Sequence, residues 1–208
     1  MPDDLQRLPL FLLPMSALPG EEVPLHVFEP RYRALVQHCL EENSEFGVLL
    51  VDDEGAREVG CALQIDRVVE RHEDGRMEIV THGTRRFQLQ GEVEEDAFPS
   101  APVVWLADEP LSPHDEEADD EDALRLFAEL AERVTGSVPD LTGEGDSSFR
   151  IAARVAFGEA AKQGLLELRS EAKRLDLLER LLRAALARLA QVELRQAQAR
   201  SNGRVYFE

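Results

Sequence analysis

A single change of rhythm constrains this chain more than any other feature. Up to residue 107 the apolar residues come in short runs punctuated by Gly, Pro and acidic turns; from residue 123 onward they recur at three- and four-residue steps. Short runs between turn signals are the pattern of strands, and the longer period is that of amphipathic helices. The order, strands first and helices afterwards, predicts an α+β chain rather than the alternating βαβ units of a doubly wound sheet.

The strand-like runs are LPLFLL (8–13), VPLHVF (23–28), FGVLLV (46–51), GCALQIDRVVE (60–70), RMEIVTHG (76–83), RRFQLQGEVE (85–94) and PVVWLA (102–107). Pro19-Gly20 separates the first two, and Glu73-Asp74-Gly75 reads as a hairpin turn. Pro24 lacks the N–H that a central strand needs, so its run belongs at an edge or a bulge. The segment PRYRALVQHCLEE is the exception: Tyr32, Leu35, Val36, Cys39 and Leu40 share one helical stripe over 30–42. Pro30 suits its first turn, and Glu29 stands beside its start. Many short strands around one short helix describe a curled antiparallel sheet or small barrel.

Helices are expected over 123–135, 148–158, 162–168 and 171–198, with Leu124, Phe127, Leu130, Ala131 and Val134 on one face of the first. Leu175, Leu178, Leu182, Leu186, Leu189 and Val192 are spaced for continuous burial in the last. Seven of the eight residues 115–122 are acidic, a solvated block without the alternating ligands and glycine of a calcium loop. The reading divides the chain into a β-rich domain, 1–114, and a helical domain, 115–208.

Charge narrows the partners. The net formal charge is -19; 15 basic against 37 acidic residues leave residues 1–170 at -22, whereas residues 171–200 carry +3. Such a field repels phosphate backbones and anionic lipid, so nucleic acid is an unfavoured partner and no membrane partner is expected. The apolar stretch near the start is interrupted by prolines and too short to span a bilayer, which makes it a first strand. Two cysteines, Cys39 and Cys61, form no CxxC pair, and a reducing cytoplasm is the simplest setting.

Motifs that carry chemistry are missing: GxGxxG after a strand, GxxxxGK[ST], HExxH, GxSxG and CxxCxxC are all absent. No cofactor or metal is expected. Cys39 falls on the apolar stripe of its helix and reads as an inert thiol, while His26 reads as a satisfied histidine rather than a base. Carboxylates are too plentiful for any pair to stand out. Glu29, at a strand-to-helix junction, is suited to accept from helix N–H groups or to pair with Arg31. Arg85 and Arg86, followed by Phe87, form the best local basic patch. Either they present an arginine-aromatic surface, or strand alternation turns Phe87 inward and leaves the arginines solvated.

The stretch LPLF (8–11), the Leu18-Pro19-Gly20 turn, Pro24-Leu25-His26-Val27-Phe28-Glu29-Pro30-Arg31-Tyr32 and Phe46-Gly47, continued by Gly60, Gly83 and Arg86-Phe87, resemble the amino-terminal domain of the ATP-dependent Lon protease family, including its stand-alone bacterial relatives. The resemblance covers about residues 7–195. It implies a PUA-like pseudo-barrel joined to a helical bundle and a module that recognises unfolded or degron-bearing polypeptide. It also implies a contribution to oligomer assembly, and it marks His26, Phe28, Glu29, Arg31 and Tyr32 as contact or junction residues. A related domain in a ligase receptor serves as an adaptor. The motor and the Ser-Lys protease of the complete enzyme have no counterpart here.

The function expected is therefore a cytoplasmic, non-enzymatic protein-binding module whose partners are unfolded segments and a separate protease or chaperone. The alternative is an RNA- or nucleotide-binding PUA-like protein. Incubated with ATP or with a peptide, the purified chain is expected to release neither phosphate nor fragments above a blank; ATP turnover abolished by a point substitution within it would refute this.

Overall fold

The computed structural model describes residues 5–110, 119–141 and 145–202. Eight strands occur among them: β1 (Gln6–Leu13), β2 (Glu22–Val27), β3 (Phe46–Asp52), β4 (Gly55–Ala56), β5 (Val59–Arg71), β6 (Met77–Leu89), β7 (Glu94–Glu95) and β8 (Pro99–Trp105). Helix α1 (Pro30–Glu42) lies between β2 and β3. Helices α2 (Glu121–Thr135), α3 (Ser147–Ala152), α4 (Glu159–Glu167) and α5 (Glu171–Asn202) follow the last strand. The α+β order read from the sequence is thus the order observed, with the sheet region first and the helical bundle after it.

The strand order is β2-β6-β5-β3-β1-β8-β7, and β6 also pairs with β8. Strands β6, β5, β3, β1 and β8 therefore form a ring of hydrogen-bonded ladders that returns on itself. Strand β2, which contains Pro24, pairs among the described strands only with β6 and takes the edge that a missing N–H requires. One ladder departs from the antiparallel expectation: β1 and β3 run parallel, Leu10 opposite Gly47 and Leu13 opposite Leu50. The connection between them carries β2 and α1, and this long crossover returns the chain to the same end of the ring.

Alternation along the ring strands sorts the apolar residues into two layers. Leu8, Leu10, Leu49, Ala62, Phe87, Ala101 and Val103, drawn from all five ring strands, make one small cluster. Their chain neighbours Phe11, Val48 and Cys61 turn the other way, into a larger cluster shared with α1 and with all four later helices. Both faces of these strands are covered, which is why LPLFLL and FGVLLV read as continuous apolar runs. Phe87 is completely buried at the centre of the small cluster. Its ring fills the space that side chains at Gly47 and Gly60 would need: a Cβ there would lie 2.6 and 2.4 Å from ring atoms of Phe87.

Gly83 differs from its expected role. The sequence suggested a break between the runs 76–83 and 85–94, yet β6 passes through unbroken. The glycine instead allows close backbone approach. Its N–H donates to Glu21 O at 2.9 Å and its carbonyl accepts from Gly20 N at 2.8 Å, drawing the Pro19-Gly20 turn onto the strand. The hairpin turn is as expected, with Gly75 at φ +85° and Arg33 Nη1 donating to Asp74 O beside it.

The helices also shift. In α2 the buried stripe is Ala123, Leu126, Phe127, Leu130 and Ala131, whereas Leu124 is half-buried and Val134 exposed. The run 148–158 divides: α3 ends at Ala152, and Gly158 precedes α4, which absorbs 162–167. Burial along α5 is complete from Leu175 to Leu186 but fades at Leu189 and Val192. Arg183 faces Asp122 and Arg133 faces Glu193, so α2 and α5 run side by side in one direction. Past Leu186 α2 still flanks α5 through the Arg133–Glu193 pair, but Leu189 stays half-buried and Val192 exposed.

A Cβ at position 83 would sit 2.0 Å from Leu18 O, a backbone atom that cannot swing aside. Gly83→Ala is expected to lower stability by about 3 kcal/mol, the upper part of the range for overpacking. Urea denaturation tests this, and an unchanged midpoint would show that the turn can move away.

Candidate functional site

The ladder from β6 to β2 ends at His82, and the ladder from β6 to β8 begins at Phe87. In the interval between them lies a cleft of about 700 Å³. Its lining includes the β6 segment Gly83–Arg86, the Pro19-Gly20 turn, Leu106, Ala107 and Asp108 after β8, and Gly145, Asp146 and Phe149 at the start of α3. It is therefore built where the sheet meets the helical bundle, and its apolar surface comes from Pro19, Leu106, Ala107 and Phe149.

Two buried arginines hold these elements together. Arg174, in the first turns of α5, is 0% exposed and Arg86, on β6, 5%. Arg174 Nη1 donates to Asp108 Oδ1 at 2.7 Å and to Leu168 O at 2.8 Å; Nη2 donates to Asp108 Oδ2 at 2.5 Å, Asp146 Oδ2 at 2.8 Å and Glu171 Oε2 at 2.9 Å. Its Nε donates to Ser148 Oγ at 3.0 Å. Arg86 Nη1 donates to Leu166 O at 2.9 Å and Leu168 O at 2.6 Å, and its Nη2 pairs with Asp108. The last carbonyls of a helix have no partner within it, and here guanidinium groups supply one. Phe149 lies beneath both, 4.6 Å from Arg174 and 5.3 Å from Arg86, in cation–π geometry.

The surroundings shift these groups in opposite senses. Burial alone would push the Asp108 carboxyl up, but the hydrogen bond and charge of Arg174, with the charge of Arg86, hold it below the usual carboxylate range. Asp146 goes the other way: burial and then the negative charge of Glu171 raise it, outweighing Arg174. Burial and the neighbouring Arg174 charge lower Arg86, while carboxylates keep Arg174 raised against its own burial. A second tie crosses the same boundary, where Lys162 of α4 pairs with Glu21 and Gln163 Nε2 donates to Val59 O at 3.1 Å.

The residues singled out from the sequence divide between surface and interior. Tyr32 is buried: its hydroxyl donates to Leu12 O at 3.1 Å, and its ring stacks on Phe11 with centroids 4.3 Å apart. Glu29 makes no side-chain cap bond to α1. Its carboxylate instead accepts from Arg31 Nε at 3.0 Å, and Arg31 also reaches Glu95 at 3.1 Å. Both partners are well exposed, so that pair is worth at most about 1 kcal/mol. His26 pairs with Glu78 and lies 5.6 Å from Phe28, which is 56% exposed.

The expected basic patch does not form as a pair. Phe87 turns inward, but Arg86 is buried against the helices rather than solvated, because the outer face of β6 is covered there. Only Arg85 lies at the surface, where it donates to Glu45 at 2.6 Å and stacks 3.4 Å over Trp105. Thus Arg85 and Arg86 line the cleft, while His26, Phe28, Glu29, Arg31 and Tyr32 are not among its lining residues.

The sequence reading missed Asp108, Asp146, Ser148, Glu171 and Arg174. The one available signal was an arginine directly before Leu175 on a buried stripe. Both cysteines are buried, and burial pushes the Cys39 thiol up to about 11 and Cys61 higher still, so neither is a ready nucleophile. Among the described residues no cluster of three His, Cys, Asp or Glu is arranged to hold a metal ion, and no helix is long and apolar enough to cross a membrane.

Comparison places this geometry in a family. The family model described as the ATP-dependent protease La (LON) substrate-binding domain matches residues 7–184, and the chain belongs to that family. The Lon protease of Paraburkholderia phytofirmans (strain DSM 17436 / LMG 22146 / PsJN) is 27% identical over 218 residues, covering 94% of this chain and 26% of that protein. The chain thus spans about a quarter of that relative's length. A Lon N-terminal domain protein from Xanthomonas campestris has a crystal structure similar at a TM-score of 0.63, with 31% identity over 83% of this chain and 96% of that one. The N-terminal domain of a Mycobacterium avium complex Lon protease gives a TM-score of 0.55 at 18% identity, covering 85% and 98%, a likeness of fold alone. The chain corresponds to the substrate-binding region and carries neither the ATPase nor the protease motifs.

Arg174→Met is expected to cost about 3–5 kcal/mol, because Asp108, Asp146 and Glu171 lose their shared partner. Asp108 contributes its stability above the ordinary aspartate value of about 4 and loses it as pH falls through its lowered value. Asp146 has the opposite sign, its contribution fading as pH rises through its raised value. Urea denaturation between about pH 3 and pH 7 should therefore show a flatter acid limb in Asp108→Asn. A limb parallel to that of the unaltered protein would remove Asp108 from this role.

Proposed function

We propose that this chain is a non-enzymatic polypeptide-binding module acting in the cytoplasm, and that the cleft between β6 and α3 takes an extended or partly unfolded segment. The observation that carries the reading is the cleft itself: about 700 Å³, partly apolar, placed where sheet and bundle meet, in a chain of the substrate-binding family. Pro19, Leu106, Ala107 and Phe149 offer the apolar contact, and the solvent edge of β2 is a supplementary site for strand pairing, limited by Pro24.

The ring of five ladders supports a PUA-like pseudo-barrel as the architecture of the β-rich domain, 1–114, with the bundle as a second domain, 115–208, packed on it. His26 and Phe28, exposed at the edge-strand end, are assigned to a secondary contact surface, and Glu29, Arg31 and Tyr32 to fixing the strand-to-helix junction. As an adaptor, the module would hand its segment to a separate protease or chaperone, with self-association as a further property implied by the family.

Binding driven by removal of apolar area from water is only modestly sensitive to salt, whereas each neutralised phosphate adds counterion release. Titrated with a permanently unfolded model protein and with a short single-stranded RNA at 50 and 200 mM salt, the chain should bind the unfolded protein at both concentrations and the RNA at neither. RNA binding that collapses about tenfold or more over that range, and is lost on Arg85→Glu, would overturn the assignment.

A further inference from the structure

A second cleft shares a wall with the first. It holds about 650 Å³ at one end of the ring of strands, where Leu8 of the small cluster and Trp105, packed against that cluster, both line it. Among the described residues Arg85 alone lines both clefts. On the other side the chain passes directly from one to the next, Trp105 lining the second cleft and Leu106 the first. The two are neighbouring stretches of one surface with the Arg85 side chain between them.

The contacts of Arg85 are those of a movable wall. Its side chain is 51% exposed, its guanidinium donates to Glu45 Oε2 at 2.6 and 3.1 Å, and it lies 3.4 Å over the Trp105 ring. An ion pair and a cation–π contact at an exposed site are both weak. Arg85 thus covers an aromatic face that its departure would open to the cleft, and that face belongs to the one tryptophan of the chain.

The rest of the second cleft suits a main chain rather than a charge. The side-chain amides of Gln6, Asn43 and Gln64 line it and make no hydrogen bond among the described residues, so each offers donors and an acceptor. Arg7 and Arg85 are balanced by Glu42 and Glu45 on the same lining. Volumes of this size correspond to clefts roughly 9 Å across, each with room for about three residues of extended chain.

Resting on the polypeptide-binding reading, we propose that the bound segment runs on from the first cleft into the second, displacing Arg85 from Trp105 so that one of its own apolar side chains takes the ring face while the three amides pair with its main chain. The occupant is a longer stretch of the same unfolded client, about six extended residues or more, with no charge required. Arg85 is an internal occupant that the client replaces, and a segment too short to span both clefts gains nothing from the second.

The test uses two neutral peptides without tryptophan, built from one apolar and serine sequence, four and nine residues long so as to fill one cleft or span both. By fluorescence anisotropy of the labelled peptides, the longer should bind roughly tenfold tighter or more, because it joins two weak sites. Saturation with the unlabelled longer peptide should shift the emission of Trp105. Arg85→Ala should tighten the longer peptide roughly three- to tenfold, the release of one exposed ion pair and one cation–π contact. Trp105→Leu should remove the advantage of length. Circular dichroism and melting temperature report whether each variant is folded, and Gln64→Ala, which should weaken the longer peptide alone, is the second variant should the Leu form unfold. Equal affinity at the two lengths, or binding of the longer peptide with Trp105 emission unmoved, overturns the second cleft and leaves the first standing. Arg85→Ala that fails to tighten the longer peptide overturns the displacement. Failure of both peptides to bind overturns the binding reading on which the inference rests.

Discussion

The full burial of one guanidinium is the constraint on which the rest of this structure depends. Arg174 carries a permanent charge out of water, which is tolerable only where hydrogen bonds and opposite charge replace its hydration. Its planar fork takes the loop after β8 through Asp108, the start of α3 through Asp146 and Ser148, the end of α4 through Leu168 O, and Glu171 of its own helix. A lysine, with three donors on one nitrogen, could not span that set. A cluster of this kind adds little net stability over an apolar core of equal volume. What it supplies is a single arrangement of the bundle on the sheet, because other packings would leave a charge buried without partners.

That arrangement exists only because the ring strands have two buried faces. Phe87 points into the small cluster and Arg86, one residue earlier on β6, points out beneath the helices. The same alternation that hides the aromatic ring therefore delivers an arginine to the end of α4. Gly47 and Gly60 make room on the inner side, and Gly83 draws the Pro19-Gly20 turn against the outer one. The cleft is the space left between that turn, the end of β8 and α3, and its shape follows from backbone approaches that no side chain could replace.

Much of this was legible in the residues. The bounds of α1, the hairpin at Gly75, the edge position of β2 and the β-then-α order follow from Pro30, Asp74-Gly75, Pro24 and the change of apolar period, each a local signal acting within a few residues. Gly83 was misread because glycine has two uses, turning the chain and admitting a neighbouring backbone, and only the second partner, Leu18, tells them apart. The exposed end of α5 was misread because periodicity reports which face is apolar and not whether another element lies against it. The cleft cluster was illegible for a plainer reason. With 42 acidic residues in the chain, nothing in sequence distinguishes Asp108 and Asp146 from acids that face water, and their meeting joins positions 86, 108, 146 and 174, which only the fold brings together.

The residues of the His26–Tyr32 motif lie apart from the cleft proposed as the binding surface. Tyr32 is committed to Phe11 and Leu12, and Arg31 to Glu29 and Glu95, so most of the motif's chemistry is consumed in setting how α1 leaves the edge strand. A motif that fixes a junction is sensitive to substitution because the crossover it starts must return the chain parallel to β1. The ring cannot close unless β3 arrives in register with Leu10–Leu13. The cleft makes the opposite demand. Its chemistry depends on charge and exposed apolar area, which many side chains supply, provided that the two arginines beneath it are matched. In this fold the most distinctive sequence therefore builds the scaffold, and the cleft proposed for a flexible partner is held in place by a buried cluster whose members are scattered along the chain.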